Sequence, residues 1–319
     1  MTSIRELVQR PGIRLYDSTM INDFRRCPRY FYYRHILGWA MDYGKPSLAA
    51  TYGICWSLAM DWLWVHPGDI EGAHKAFLEG WTGRGLEPYP VDSYRHRHPM
   101  TAKEMLYAYN DQRKWFLRNH CKVLAVEEPF VVPLDPSDDT LWYMGRLDKV
   151  IDHGGDVLIV DHKTTSSYAA SGASPPFRWN FLESFIPNFQ IEGYQYAGRM
   201  LYGKKFRGVW IDAALVHARV HDGFKFIPIE QEVSQLDAWL WNYRNQIDHI
   251  EAYIKQMDAE GTKYMAAFPK NDRACFDYNS PCSYLEPCRM WADPRGQPPP
   301  PGFVESRWSP FNHAGGDKT

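Results

Sequence analysis

The sequence has few cysteines, no large excess of one charge and no long apolar run among its 319 residues. Six cysteines are too few for a disulfide scaffold, and the sequence shows no secretory leader, so we expect a protein that works in the cytoplasm. The longest apolar stretch, Trp56 to Val65, is interrupted by Asp61 and is shorter than the roughly 20 residues that span a bilayer.

The formal net charge of -2 argues against an overall basic coat for nucleic acid but permits a local basic groove. No G-x-x-x-x-G-K-[ST] motif is present, so any unwinding of a duplex would need a partner protein. A hydrophobic fraction of 45% with 15% aromatic residues excludes a mainly disordered chain. The length corresponds to about two domains, or to one elaborated α/β core.

The first 120 residues have helical periodicity. Ser18 is expected to cap a helix that runs to about Arg26, and Pro28 then separates it from the next helix. Apolar spacing of about 3.6 residues predicts further helices beyond position 53, with a loop between residues 84 and 99. Their predicted bounds are Ile54 to Val65, Ile70 to Gly80 and Met100 to Asn119.

The period changes after residue 121. Three consecutive strands are predicted, and His153-Gly154-Gly155 joins the last two as a hairpin. Their bounds are Lys122 to Leu134, Leu141 to Asp152 and Asp156 to Thr164. A helix, two more strands and a long amphipathic helix follow. These are Phe189 to Tyr202 with Asn188 as cap, Gly208 to Arg219, Phe224 to Glu230, and Ser234 to about Met257.

This order of elements predicts an α/β fold in which helices flank a mixed central sheet and one subdomain is helical. The chain is expected to divide into five segments. They are an N-terminal helical segment (1–48), a helical subdomain (49–121), an α/β core (122–232), a C-terminal helix with three cysteines (233–293), and a disordered proline-rich tail (294–319).

Three charged residues are expected to converge at one end of the sheet. Asp161 and Lys163 share a strand face because they are two residues apart, and the hairpin can bring Asp148 beside them. Two carboxylates in an apolar sheet repel each other unless a cation lies between them. Mg²⁺ or Mn²⁺ suits two aspartates and the backbone carbonyl of His162.

Such a metal can activate water for phosphodiester hydrolysis, and Lys163 can orient that water or offset the charge on the phosphate. The alternative is an ordinary surface salt bridge, since D-x-K triplets are common in proteins. Gln190 and Tyr194, four residues apart on the predicted helix of residues 189–202, lie on one helix face.

Gly-Arg-Leu-Asp148, Asp161-His-Lys163 and the Gln190-x-x-x-Tyr194 helix together resemble the PD-(D/E)XK nucleases of the RecB-like branch. The resemblance runs from Ser18 to Cys288. It implies a restriction-endonuclease-like fold, a metal held by the two aspartates, and a lysine that positions water. It also implies that the glutamine and tyrosine contact DNA or orient the catalytic groups.

One position departs from that family, which often has a metal-binding histidine four residues after a glycine at a helix start. Here Gly53 is followed by Ser57 at that position. The departure leaves open a catalytically silent DNA-binding module that retains the fold. Glu127 matches an acidic residue common in the relatives and is either a supplement to the site or a surface charge at a strand end.

Four cysteines have a distinctive distribution. Cys275, Cys282 and Cys288 are separated by six and five residues, and Cys27 lies nearly 250 residues earlier. This arrangement resembles the iron-sulfur subgroup of RecB-like nucleases, which includes AddB and the CRISPR-associated exonucleases. The resemblance implies that the four thiolates bind a 4Fe-4S cluster that joins the two ends of the chain.

Zinc and unliganded thiols are the alternatives, although structural zinc usually uses close C-x₂₋₄-C pairs, which are missing from this sequence. The remaining Cys55 and Cys121 are expected to be small buried hydrophobic residues.

A basic and aromatic stretch near residue 30 is a candidate surface for single-stranded DNA, since arginine binds phosphate and aromatic rings stack on bases. Its arginines are Arg25, Arg26, Arg29 and Arg34. The alternative is a solvated helix face beside a buried aromatic stripe, Tyr30 to Tyr33. The basic run Arg95 to His98 is expected to be a solvated loop.

These features predict a metal-dependent DNA nuclease, and more narrowly an exonuclease on single-stranded or end-unwound DNA. Its setting would be the cytoplasm of a bacterial or phage-infected cell. We expect it to act in recombination, repair or CRISPR-type DNA processing, with a helicase, recombination protein or CRISPR protein as partner.

Overall fold

The computed structural model describes residues 10–42, 47–169, 177–259, 261, 264–307 and 309. It has a mixed α/β fold in which helices flank a central sheet. The helices are α1 (Ser18–Arg26), α2 (Pro28–Phe31), α3 (Leu48–Val65), α4 (Ile70–Thr82), α5 (Pro99–Asn119), α6 (Trp179–Leu182), α7 (Phe189–Tyr202), α8 (Val233–Ala259) and α9 (Leu285–Met290). The strands are β1 (Arg14–Tyr16), β2 (Trp39–Met41), β3 (Lys122–Pro133), β4 (Leu141–His153), β5 (Asp156–Thr165), β6 (Phe206–Leu215), β7 (Phe224–Ile229) and β8 (Phe303–Glu305).

The main sheet has the strand order β1-β4-β5-β6-β7, and β3 also pairs with β4. The pairs β1–β4 and β5–β6 are parallel, whereas β4–β5 and β6–β7 are antiparallel. Strand β5 therefore lies between two neighbours. Its residues 157–160 are buried, as the apolar run Val157-Leu158-Ile159-Val160 predicts for a central strand.

The chain divides into two compact units. The first comprises residues 1–43, 131–145 and 233–319, and the second comprises residues 44–130 and 146–232. The first unit has an aromatic core in which Tyr33 stacks on both Trp39 and Tyr284, with ring centroids 5.4 and 5.3 Å away. Strands β2 and β8 form a separate antiparallel sheet in this unit.

In the second unit, helices α3, α4 and α5 form one hydrophobic core with a face of the sheet. Trp56, Trp81 and Tyr109 from the helices pack with Leu158 and Val160 of β5 in this core. Helix α7 contacts β5 and β6. The second unit therefore supplies both a central strand and the helices that pack on it. Among the helices of the described residues, none combines the length and apolar character needed to cross a bilayer.

Several element boundaries differ from those predicted. Asp17, rather than Ser18, caps α1, because its carboxylate accepts a hydrogen bond from the Met20 N–H at 2.8 Å. Helix α3 begins at Leu48, six residues before the predicted start. Leu48 packs against the core of the second unit, so tertiary contact extends the helix beyond its periodic part.

Strand β6 spans residues 206–215 rather than 208–219. Its pairing with β7 begins at Ala214↔Phe224, so the residues after Leu215 form the connection between the strands. The proline-rich segment 294–319 is predicted to be a disordered tail, yet residues 303–305 form β8 and pair with β2. Residues 308 and 310–319 of this segment lie outside the described residues.

Helix α7 approaches β6 so closely that Gly198 has no space for a side chain. A Cβ atom at this position would lie 2.3 Å from the ring of Phe206. We expect Gly198→Ala to lower the free energy of unfolding by about 1 to 2 kcal/mol, because overpacking outweighs the gain in helix propensity. Urea denaturation measures the change. The control is Met200→Ala, which alters an exposed side chain of the same helix. Equal midpoints for wild type and Gly198→Ala would contradict this close approach.

Candidate active site

Strands β4 and β5 bring Asp148 beside the Asp161-His162-Lys163 segment. The backbone pairing of these strands extends from His153↔Asp156 to Lys149↔Val160. Asp148 is the next residue of β4 beyond this pairing. Its side-chain Oδ2 accepts a hydrogen bond from the His162 N–H of β5 at 3.1 Å. The carboxylate is thus held against the next strand by a main-chain group.

Asp161 and Lys163 form an ion pair on one face of β5. The Lys163 Nζ donates a hydrogen bond to Asp161 Oδ1 at 3.0 Å and lies 2.8 Å from Oδ2. Only 1% of the Asp161 side chain is exposed, whereas 34% of the Lys163 side chain is. The aspartate is therefore fixed inside the protein, and the ammonium group reaches toward solvent.

The electrostatics of the three groups differ. Burial raises the pKa of Asp161 to about 6, and the nearby Asp148 carboxylate adds to this effect while Lys163 opposes it. For Lys163, burial acts to lower the pKa, but attraction to Asp161 and Asp148 outweighs burial and the pKa is raised. The amine therefore stays protonated at neutral pH. The site has two carboxyl groups but only this one ammonium group to neutralise them.

A hard divalent cation fits this donor set. Asp161 Oδ2 is buried and has no hydrogen-bond partner among the described residues, although Lys163 is close. Within those residues, no group of three or more His, Cys, Asp or Glu side chains could hold a metal ion. An ion at this position would be held by the carboxylates of Asp148 and Asp161 and would complete its shell with backbone, water or substrate oxygens. The role of the His162 carbonyl stays a prediction.

Gln190 and Tyr194 lie on α7, whose N-terminus is capped by Asn188. The Gln190 Nε2 donates to the Tyr194 Oη at 2.9 Å, and this hydroxyl donates to the Arg146 carbonyl at 3.0 Å. The tyrosine is 6% exposed. The two side chains thus attach α7 to β4 two residues before Asp148.

Sequence reasoning left Glu127 undecided and did not include Asp61. The structure places Glu127 in an ion pair with Arg146 at 3.1 Å. Burial raises the pKa of Glu127, and the carboxylates of Asp148 and Asp61 add to this shift. Glu127 is therefore more than a surface charge at a strand end. Asp61 interrupts the apolar run of α3 one turn after Ser57, and that interruption is the signal in the sequence that could have singled it out.

The four cysteines of the distinctive distribution lie around one cavity of the first unit. Cys27, Cys275, Cys282 and Cys288 all line it. The Asn271 N–H donates to the Cys27 sulfur at 3.4 Å, and the Cys282 N–H donates to the Cys275 carbonyl at 2.8 Å. Burial, together with Cys27 and Cys275, raises the pKa of Cys282. The cavity thus gathers thiols from both ends of the sequence.

The arginines predicted to bind DNA have different environments. Arg29 is 2% exposed and donates hydrogen bonds to the carbonyls of Phe268 and Met265, each at 2.9 Å. Its prediction as a phosphate contact is therefore wrong, because its guanidinium group is occupied inside the first unit. Arg26 forms an ion pair with Asp277 at 3.0 Å.

Arg34 donates to the Ser306 carbonyl at 2.8 Å. The neighbouring rings Phe31, Tyr32 and Tyr33 are buried, so this aromatic stripe belongs to the core. Arg25 also has an interaction within the protein.

Comparison with known proteins supports one family. The model of the PD-(D/E)XK nuclease superfamily matches residues 18–289 of this chain. No curated protein matches the chain. A crystal structure from Eubacterium rectale, described as "Putative exonuclease", is similar with a TM-score of 0.46 and 14% identity. The match covers 73% of this chain and 79% of that one. The family model, which spans most of the chain, carries the assignment.

The raised pKa of Asp161 predicts how the stability of the metal-free protein depends on pH. The folded state holds this proton more tightly than an unfolded chain, in which the pKa is 3.8. The resulting stabilisation is complete below about pH 4 and is lost as the pH rises through about 6. We expect Asp161→Asn to gain stability relative to wild type between about pH 4 and pH 7, by at most about 3 kcal/mol.

Urea denaturation in the presence of a chelator measures this difference. Lys163 remains charged over the range, so it does not contribute to the slope. Asp156→Asn, on the same strand but with 45% of its side chain exposed, controls for the introduction of an asparagine. A stability difference between wild type and Asp161→Asn that is independent of pH would show that the carboxyl group is not perturbed by burial.

Proposed function

Because the chain belongs to the PD-(D/E)XK nuclease superfamily, we propose that it is a metal-dependent exonuclease that hydrolyses phosphodiester bonds in DNA. The observation that carries the proposal is the convergence of Asp148, Asp161 and Lys163. One carboxylate is bound to the amide of His162, and the other is ion-paired to the lysine on the same strand.

In this proposal Asp148 and Asp161 hold Mg²⁺ or Mn²⁺, with the His162 carbonyl as a further ligand. When bound, such an ion would supply Lewis-acid charge for the activation of water and the stabilisation of the phosphate. Lys163, which is ion-paired to Asp161, acts as a cation. Its partly exposed ammonium group can orient the attacking water and offset the negative charge that develops on the phosphate oxygens.

Gln190 and Tyr194 support the site from α7. Their hydrogen-bonded chain ends on the Arg146 carbonyl, so they fix the segment of β4 that leads to Asp148. Glu127 supplements the acidic charge near Asp148 and is held by Arg146.

The substrate is proposed to be single-stranded DNA or an unwound DNA end. Support comes from the RecB-like pattern of the aspartates, lysine and Gln-x-x-x-Tyr helix. Arg25, Arg26 and Arg34 stay candidate phosphate contacts. A helicase, recombination protein or CRISPR protein would deliver unwound DNA, in recombination, repair or spacer processing in the cytoplasm of a bacterial or phage-infected cell.

The four cysteines are proposed to bind a 4Fe-4S cluster. All four line one cavity, and the hydrogen bond from Asn271 to the Cys27 sulfur is the kind of contact that stabilises cluster ligands. Mutual proximity and burial make the thiolate form of Cys282 costly, and bound iron would offset that cost. The cluster would have a structural role in the first unit.

A digestion assay tests the nuclease. With labelled single-stranded DNA and Mg²⁺ or Mn²⁺, wild type should release short products, and chelation should stop the reaction. Asp161→Ala and Lys163→Ala should each lower the rate by at least about 100-fold. The first removes a proposed metal ligand, and the second removes a cation beside the reacting phosphate. Asp156→Asn, which changes an exposed aspartate of the same strand, should keep wild-type activity.

Substrates blocked at either end distinguish an exonuclease from an endonuclease. Product formation without metal, or equal product from Asp161→Ala, would reject the proposed metal-dependent nuclease. DNA binding without cleavage would favour the silent binding module that Ser57 suggests.

Anaerobic purification tests the cluster. The protein should be brown, absorb broadly in the visible range, and contain about four iron and four sulfide per chain. Cys275→Ser should lose iron, whereas Cys121→Ser, outside the cavity, should retain it. A colourless protein without iron would reject the cluster, and stoichiometric zinc would establish the rival metal.

A further inference from the structure

Two sequence neighbours of the proposed catalytic residues are buried polar side chains that point to the opposite face of the sheet. Lys149 follows Asp148, and His162 lies between Asp161 and Lys163. Successive side chains of a strand alternate between faces, so these two are directed away from the catalytic groups. Both side chains are fully buried.

His162 belongs to a buried polar group that reaches two helices. It lies opposite Asp212 in the parallel pairing of β5 and β6, and its Nδ1 is 3.0 Å from the Asp212 Oδ2, although neither ring nitrogen makes a hydrogen bond within the described residues. Tyr109 of α5 donates a hydrogen bond to the same oxygen at 2.6 Å. The Trp64 Nε1 of α3 donates to the Tyr109 hydroxyl at 2.9 Å. Burial and Asp212 raise the pKa of Tyr109 well above its usual value, so this phenol remains a donor.

Lys149 is attached to the same helix α3. Its Nζ lies 2.5 Å from the Asp61 Oδ1 and 5.9 Å from the Trp64 ring. The Trp64 ring also packs edge-on against His162, with centroids 5.6 Å apart. Asp61 and Trp64 are three residues apart on α3, so one helix face contacts both catalytic strands.

These contacts are a poor means of stabilising the fold. Burying a lysine or histidine with a carboxylate costs desolvation energy that their attraction often fails to exceed, and apolar residues of similar volume can be as stable. The benefit of such a pair is then positional, since a polar contact has a defined partner and distance. The carboxylates of Asp148 and Asp161 are the groups whose spacing depends on these strands.

We propose that Lys149 and His162 are positioning residues whose contacts with Asp61 and Asp212 hold Asp148 and Asp161 at the spacing that a divalent ion requires. This inference rests on the proposed function. It assigns a task to the face of the sheet opposite the proposed catalytic groups. It also explains why the residue between Asp161 and Lys163 is a buried histidine rather than an aliphatic residue.

Binding of Mn²⁺ to the metal-free protein tests the proposal without DNA and without turnover. Free Mn²⁺ is quantified by its electron paramagnetic resonance signal during titration. His162→Leu and Lys149→Met should each weaken Mn²⁺ binding by about tenfold, the lower end of the range for residues behind metal ligands. His162→Asn, which keeps a nitrogen donor near the Nδ1 position, should stay within about threefold of wild type.

A matched control separates position from stability. Leu158→Ala removes a buried side chain of the hydrophobic core on the same face of β5 as His162, so it should lower the melting temperature but keep wild-type Mn²⁺ affinity. Should His162→Leu fail to fold, Tyr109→Phe removes one donor to Asp212 with little change in volume and should weaken Mn²⁺ binding severalfold.

Wild-type affinity in folded His162→Leu, or in Tyr109→Phe where the leucine variant does not fold, would overturn the proposal. The same holds if Leu158→Ala weakens binding as much as His162→Leu. Either outcome would reject the positioning role and leave the nuclease proposal intact. If wild type itself binds no Mn²⁺, or if Asp161→Asn binds as tightly as wild type, the metal site is rejected and the positioning role falls with it.

Discussion

The structure depends on a carboxylate that is buried beside a second carboxylate. Asp161 is almost inaccessible to solvent, and its attraction to Lys163 does not fully offset the cost of burial and the proximity of Asp148. Such an arrangement is costly for a folded protein unless another positive charge completes it. The constraint explains why the same strand pair presents an ammonium group and a carboxylate bound to a main-chain amide at one position.

Strand β5 separates two kinds of chemistry by its alternation. One face has the groups proposed for phosphodiester hydrolysis, and the other has a buried network that ends on helices α3 and α5. Helix α7 acts from a third direction, through the bond of Tyr194 to the Arg146 carbonyl. Helices α3, α5 and α7 therefore each contribute a directed polar contact to this part of the molecule, and Leu158 of β5 lies in the hydrophobic core.

The sequence was most informative where periodicity is strong or where function restricts residue type. The α/β fold and the central position of β5 follow from alternation and from the apolar run 157–160. The resemblance to the PD-(D/E)XK nucleases rested on a few polar and charged residues, and the family model that matches residues 18–289 confirms the superfamily. The start of α3 and the end of β6 were missed because tertiary packing and the pairing with β7 decide them.

Polar residues that act through other residues were the hardest to find. Asp212 and Tyr109 carry no local pattern, and their role becomes visible only when β5, β6 and α5 are assembled. Arg29 shows the opposite error. A helix rich in arginine suggested a phosphate contact, but the carbonyls of Phe268 and Met265, more than 230 residues later, occupy its guanidinium group.

The interleaving of the two units along the chain has a consequence for synthesis on the ribosome. The second unit is complete once residue 232 has emerged from the exit tunnel, whereas the first unit needs the residues from 233 onward. Domains generally fold as units during translation. The second unit can therefore fold before Cys275, Cys282 and Cys288 have been synthesised and can approach Cys27. The assembly of the four-cysteine cavity would then be among the last steps of folding.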